Sequence, residues 1–513
     1  MRASGALGVA LFVARGVQAN GRFPNALAVR ELGPEALVVS GTYGLLLTTN
    51  GGSDFQYVCE SEMFGRSAGG FTMDPLLELA PDGSFVTGSV QAARVSLERG
   101  CGFETVTSLP RNYEFFGETP LPGAESGRIV DLCRRGASEG APLLALVAIV
   151  DENAIPLEHR VYEARNGSEF SPIGAPIPRD LVEFALTLDA APSDPDRFYV
   201  TGTRANEPIL ARSRDAGEDW DATLVPAADP DTVLGVYLGA VSPNDADRIY
   251  VRASRRRLTD DGYYLWDDSL LVSDDAGDEF FEPLRHTAAL LGFALANDGE
   301  TVLAGYGDPR AEPALSSVDE LGIYAAGSSA SADAIAFERI VSELDVSCLF
   351  VSPTGLYACA TERDPLAADP TLEPDFHLGV FRGAGLPESR ADFTPLLKLR
   401  DVRGPPPRAD GHAGPCDEEW LDGDPSAQFP VGACAQFYAC ENDPRDLEPG
   451  ALVCGEGAGG GGASEKPKEA ADPDFGCGCR SAGSKRERGL GWAFAFLLGW
   501  WHRLRRRCRR SNS

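Results

Sequence analysis

Three consecutive arginines, Arg255, Arg256 and Arg257, followed closely by Tyr263, Tyr264 and Trp266, form the stretch whose residue types best suit binding chemistry. Guanidinium groups pair with carboxylates and aromatic faces stack on sugars or cations, so such a segment could hold a glycan or an acidic partner. The plainer reading is a decorated surface loop whose aromatics cover a neighbouring strand. Catalytic chemistry has less support. The five histidines, His159, His286, His377, His412 and His502, are scattered without the i, i+4 pairing or cysteine neighbours of a metal site. No phosphate-cradling GxxxxGK[ST] and no G-x-S-x-G elbow occurs. Acid pairs are abundant in a chain of net charge −31, and abundance strips them of diagnostic value. No catalytic residue, cofactor or metal ligand is assigned, and a surface this acidic argues against nucleic acid as a partner.

Twelve cysteines suit an oxidising compartment, since no CxxC pair recurs with zinc spacing. In the segment 347–360 a turn over residues 352–355 pairs Val351 with Leu356, and the same register sets Cys348 directly across from Cys359. A cross-strand disulfide is expected there. Cys59, Cys101 and Cys133 leave one odd thiol, with Cys59 to Cys101 the pairing chosen.

The elements that must carry these residues announce themselves by repetition. Ser213, Asp215, Gly217 and Trp220 recur sixty residues later as Ser273, Asp275, Gly277 and Phe280. The shared pattern, Ser-x-Asp-x-Gly-x-x-aromatic, resembles the Asp-box of β-propeller proteins such as sialidases and sortilin-type receptors. Glycine accepts the positive φ of a tight turn, the acid bonds back to the turn's amides, and the aromatic packs between sheets. Weaker copies run through Thr48, Asn50, Gly52 and Phe55, through Ser96, Glu98, Gly100 and Phe103, and through Asn166 to Phe170. Two segments ending at Phe337 and Phe393 keep the aromatic but not the turn. The seven aromatics are separated by 48, 67, 50, 60, 57 and 56 residues, and each interval holds one four-stranded blade. The expected fold is all-β: a seven-bladed β-propeller over residues 20–403, with a small disulfide-rich C-terminal module and a C-terminal membrane or sorting helix.

Taken in order, residues 1–19 resemble a secretory signal cleaved before Asn20. The first blade reads as four alternating strands, and Asp196-Arg197 and Asp247-Arg248 each introduce a strand in later blades. Insertions enlarge blade five at 255–268 and blade seven at 361–375. Residues 404–415 are a Pro-rich linker. Within 416–454 four cysteines surround three aromatics, a stapled module with zinc as the runner-up. Residues 455–476 are a Gly-rich tether. The segment 477–513 sets Cys477 and Cys479 ahead of an apolar run, 489–501, and a terminal arginine cluster. That order resembles the myxobacterial C-terminal sorting tail, which implies a processed or lipid-modified Cys477 or Cys479 and attachment to the cell envelope. As a helix the apolar run reaches about 20 Å, against a hydrocarbon core of ~30 Å, with Trp and Arg at its ends able to snorkel.

The function expected is therefore that of an exported, surface-tethered binding or scaffold protein. It would be a monomer, its partner a protein or glycan at the cell surface, with the membrane met through the tail. A secreted sialidase-like glycoside hydrolase is the rival, and it would show three convergent arginines or two suitably spaced carboxylates at the channel mouth. An assembly factor for an envelope complex is the third reading.

Overall fold

Residues 143–150, Leu-Leu-Ala-Leu-Val-Ala-Ile-Val, are all buried, and the architecture explains why a strand here reads as a continuous apolar run. Leu143, Ala145 and Val147 pack toward Val86 and Val95, while Leu144 and Leu146 pack toward Leu188, Phe198 and Ile209. Each sheet is sandwiched between two others, so both faces of its middle strands are dry. Each buried leucine contributes about 1.5–3 kcal/mol.

The computed structural model describes residues 26–398 except 34, 42–43, 54, 60–75, 90–91, 98–102, 113–124, 139, 227–232, 259–263, 297–298, 308–319, 343, 353, 363–376 and 384–391. Twenty-nine strands are described, in seven antiparallel sheets. Blade one is β1 (Ala26–Gly33), β2 (Ala36–Gly41), β3 (Gly44–Thr48) and β4 (Gln56–Cys59). Blade two is β5 (Leu76–Leu79), β6 (Phe85–Gly88), β7 (Ala93–Ser96) and β8 (Glu104–Thr105). Blade three is β9 (Ser126–Arg134), β10 (Leu143–Val150), β11 (Pro156–Ala164) and β12 (Ser171–Pro178). Blade four is β13 (Phe184–Ala191), β14 (Asp194–Arg204), β15 (Glu207–Ser213) and β16 (Asp221–Leu224). Blade five is β17 (Val233–Val241), β18 (Ile249–Leu258), β20 (Asp268–Ser273) and β21 (Phe281–His286), with β19 (Tyr264–Trp266) paired only to β18. Blade six is β22 (Ala289–Leu295), β23 (Thr301–Gly307), β24 (Gly322–Gly327) and β25 (Glu338–Ser342). Blade seven is β26 (Leu344–Ser352), β27 (Gly355–Glu362), β28 (His377–Gly383) and β29 (Phe393–Lys398).

In every blade the strands pair in chain order. The chain is an all-β seven-bladed propeller. Its ring closes without exchanging a strand between its ends, since blades one and seven are each built from one continuous segment. Side chains make the closure: the Thr354 hydroxyl bonds Glu31 at 3.1 Å, and the Arg30 guanidinium lies 5.9 Å from the Phe350 ring centre.

Up-and-down order assigns every connection to a face. Turns joining the first strand to the second and the third to the fourth share one side of the disc, the turn face. Those joining second to third, and blade to blade, share the other, the connection face.

All seven repeat aromatics stand where the outermost strand begins. Phe55, Phe103, Phe170, Trp220, Phe280 and Phe337 immediately precede β4, β8, β12, β16, β21 and β25, and Phe393 opens β29. The two strict repeats fold alike. Ser213 Oγ donates to Asp215 Oδ1 at 2.8 Å and accepts the Gly217 amide at 2.8 Å, and Asp215 Oδ1 accepts the Asp219 amide at 3.0 Å. The corresponding distances at Ser273, Asp275, Gly277 and Glu279 are 2.7, 2.8 and 2.9 Å. Gly217 and Gly277 sit at φ 90° and 91°. Thr48 and Asn50 rebuild the geometry in blade one, with Gly52 donating to Thr48 at 3.1 Å. Blade six, where spacing implies that the turn is lost, retains a Ser331 to Asp333 bond of 2.5 Å.

These turns dock on the preceding blade. Gly217 offers its carbonyl to the Ala175 amide at 2.7 Å, and the Trp220 indole donates to the Ala175 carbonyl at 3.3 Å. A Cβ on Gly174 would meet the Gly217 backbone at 2.4 Å, so two chains touch where no side chain fits. In blade one the turn meets blade seven: a Cβ on Gly52 would fall 2.3 Å from Leu396. Arginines reinforce the same face, with Arg135 reaching Asp196, Arg197 reaching Asp247, and Arg248 reaching the Ala330 carbonyl at 2.8 Å, each one blade on.

The expected disulfide is present, Cys348 and Cys359 lying opposite each other on β26 and β27 with Cα atoms 4.7 Å apart. Cys133 is a free thiol. The side chain of Cys59, and the whole of Cys101, the signal, the linker, the cysteine module, the tether and the tail with Cys477 and Cys479, lie outside the described residues.

Candidate binding site on the inner ring

The innermost strands are β1, β5, β9, β13, β17, β22 and β26, and their half-buried residues line the central channel. Acids interrupt the apolar run of five of these strands, at Glu31 in β1, Glu78 in β5, Asp131 in β9, Asp189 in β13 and Asp345 in β26. Glu78, Asp131 and Asp189, with Arg30 of β1, form a charged arc over blades one to four. Leu238 of β17 and Phe293 and Leu295 of β22 are half-buried and pack against the inter-blade cores.

The charged arc is a chain of contacts between neighbouring blades. Arg30 on β1 pairs with Glu78 at 2.7 Å. Asp131 accepts the Leu132 amide at 2.9 Å through one oxygen and the Leu188 amide of blade four at 2.8 Å through the other. Asp189 accepts the Ala190 amide at 2.9 Å, and the Val241 amide of blade five. Thr187 Oγ1 accepts the Leu238 amide at 2.9 Å, a further tie across the same seam.

Burial dominates the electrostatics. It pushes the Asp131 carboxyl up to about 7 against the opposing pull of the Leu188 and Leu132 amides, with Asp189 and Glu78 adding like-charge repulsion. Burial likewise raises Asp189 to about 7. The Cys133 thiol is driven up by burial and by Asp189, Asp131 and Glu78, so it stays protonated and a poor nucleophile. Behind the ring His159 accepts the Ala185 amide through Nε2 at 3.3 Å, and burial lowers it to about 4, so it is neutral at physiological pH.

The basic and aromatic segment of blade five differs from the loop that its sequence suggests. Arg255, Arg256 and Arg257 belong to β18, and β19 pairs back onto it with Arg256 opposite Trp266 and Arg257 opposite Leu265. The insertion is a two-stranded ribbon. Arg255 is only 2% exposed: it bonds Ser269 at 2.5 Å and faces Glu282 at 3.4 Å, and it is withdrawn from any ligand surface. Its strand alternation turned it into the inter-blade core, where Asp268 also ties Arg252 at 2.8 Å to the Leu290 amide at 3.0 Å. Tyr264 and Trp266 lie on β19, and Tyr263 is outside the described residues. The inner-ring acids went unassigned in the sequence because a chain with 77 acidic residues hides five. The usable signal was position: an acid within the first, otherwise apolar, strand of a blade.

Among the described residues no cluster of three or more His, Cys, Asp or Glu could hold a metal ion, and no helix is long and apolar enough to cross a membrane.

No protein-family model matches the chain, and no curated protein does. Solved structures match in fold. An ancestral GH74 enzyme is similar at 11% identity and a TM-score of 0.44, over 67% of this chain and 46% of that one. The extracellular domain of a one-component system from B. thetaiotaomicron is similar at 10% identity and 0.39, over 65% and 37%. An α-L-arabinofuranosidase from Fusarium graminearum is similar at 12% identity and 0.34, over 57% and 88%. The chain thus spans less than half the length of the first two. At these scores no residue role passes from any of them to this chain.

Proposed function

We propose that this protein is an exported, envelope-tethered propeller that binds a protein or glycan and catalyses nothing. One observation carries the reading: the oxygens of the inner-ring acids are already committed. Both oxygens of Asp131 hold backbone amides, Glu78 holds Arg30 and the Leu79 amide, and Asp189 holds amides of its own blade and the next. Acids used as inter-blade ties are not aimed at a glycosidic bond. The turn geometry supports the Asp-box reading of the repeats, and the Cys348–Cys359 disulfide suits export into an oxidising space. The connection face is the binding face of this proposal, since the strand ends flanking the 255–268 and 361–375 insertions both open onto it. Membrane attachment through the tail, processing at Cys477 or Cys479 and a monomeric state belong to the same reading.

A glycoside hydrolase is the second reading, favoured by the two carboxyls raised to about 7, where a general acid works well. Fluorogenic sialosides and glucosides separate the two. The binding reading expects no turnover by the full chain, and turnover abolished by Asp131→Asn or Asp189→Asn would replace it with the enzyme.

A further inference from the structure

Among the described residues five large apolar side chains are exposed, and four of them stand at the connection face of blades three and four. Ile155 lies in the turn between β10 and β11, Leu157 at the start of β11, Phe184 at the start of β13 and Leu224 at the end of β16, each between 39% and 53% exposed. Hydrogen bonds and register draw these ends together. His159 accepts the Ala185 amide at 3.3 Å, which sets the strand of Leu157 beside that of Phe184. Phe184 lies opposite Thr203, Leu224 lies opposite Ile209, and Glu183 accepts the Ala205 amide at 3.1 Å, so the strand ends of blade four share one rim. Two arginines frame it. Arg128, near the start of β9, shares a row with Ala148 and His159, and Arg204 ends β14; among the described residues neither enters an ion pair. In a chain of net charge −31, unpaired arginines beside exposed apolar side chains fit an acidic partner that carries aromatics.

We propose that the occupant is this chain's own segment 416–454, seated on that rim as a cap. Its composition complements the surface: nine acids and one arginine, with Trp420, Phe429 and Tyr438 among them. The path also fits. β29 is a fourth strand, so the chain leaves Lys398 on the connection face, and blade seven stands across the ring from blades three and four. Two blades of three strand spacings each, about 4.8 Å apiece, with the channel between them make a crossing of about 30–40 Å. The seventeen residues 399–415, Pro-rich over 404–415, span about 50 Å at ~3.1 Å each. Tethering at such range gives weak contacts a high effective concentration, so a few apolar and charged contacts suffice to hold the cap. The assignment stands whether or not a ligand also uses the connection face.

Photo-cross-linking of the full chain tests it. With benzoylphenylalanine in place of Phe184, irradiation should join that position to a peptide within 416–454 of the same chain. Should that variant fail to fold, the same probe in place of Leu224 makes the measurement. Mixing isotope-labelled with unlabelled protein separates the sources: pairs joining the two labels would assign the rim to a second copy and overturn the cap. Links that fall anywhere else, or none at all, overturn it too. Arg204→Glu should lower the yield of the 416–454 link by about fivefold, a rim ion pair's worth. An unchanged yield would overturn the charge complementarity on which the choice of occupant rests.

Discussion

The inner-ring carboxyls reverse the usual relation between acidity and stability. Most buried acids gain a cation or donors in the folded state and favour folding at neutral pH. Asp131 and Asp189 gain amide donors too, but burial outweighs them, and their folded values rise to about 7. The folded chain then holds protons that the unfolded chain releases, and their stabilising contribution, full below about pH 4, is lost as pH rises through 7. Asp131→Asn should raise stability at pH 8 by about 2 kcal/mol and leave it little changed at pH 4.5, as read by denaturant midpoints. The turn acids behave oppositely. The Asp219 amide and the Ser213 hydroxyl hold Asp215 below the ordinary carboxylate range. Ser213→Ala should cost about 1 kcal/mol in thermal unfolding, one hydrogen-bonded hydroxyl's worth. The ring acids were illegible in the sequence because burial depends on the blades to either side. The turn acids were legible because their partners lie within four residues.

Among the elements, the third-to-fourth-strand turn is what converts a repeat into a ring. Its glycine meets the blade before it, backbone to backbone at Gly174 and Gly217 and backbone to side chain at Gly52 and Leu396. Gly174 also has φ 63°. Gly174→Ala should therefore cost about 2–4 kcal/mol, strain plus overpacking, while Gly140→Ala, where a Cβ meets nothing, should be close to neutral. Calorimetry of the two variants reads the difference. The disulfide joins the channel strand of blade seven to the strand behind it, and it closes an interval of eleven residues. Reduction should cost about 3 kcal/mol in the chain-entropy account, measured as a lower unfolding temperature with and without reductant. Its register was readable because a tight turn fixes which residues face each other. The ribbon of blade five was not, because three arginines in a row say nothing about which of them the strand turns inward.

At the scale of the molecule, seven sheets fan about one channel, and stability is shared among six seams between successive blades plus the one that closes the circle. Blade count and blade content followed from the spacing of seven aromatics, each of which opens an outer strand. The chemistry of the channel did not follow, since it arises only when distant first strands are gathered into one wall. The division into a turn face that staples and a connection face is a property of the closed disc, so closure is the claim on which the account rests. Glu31 and Thr354 touch at 3.1 Å across 323 residues of chain. Full-length protein carrying Glu31→Cys and Thr354→Cys, treated with a short bifunctional thiol reagent, should yield a cross-linked peptide pair joining these two positions and a raised unfolding temperature. Failure of that pair to form in folded protein, while each cysteine reacts singly, would contradict the ring.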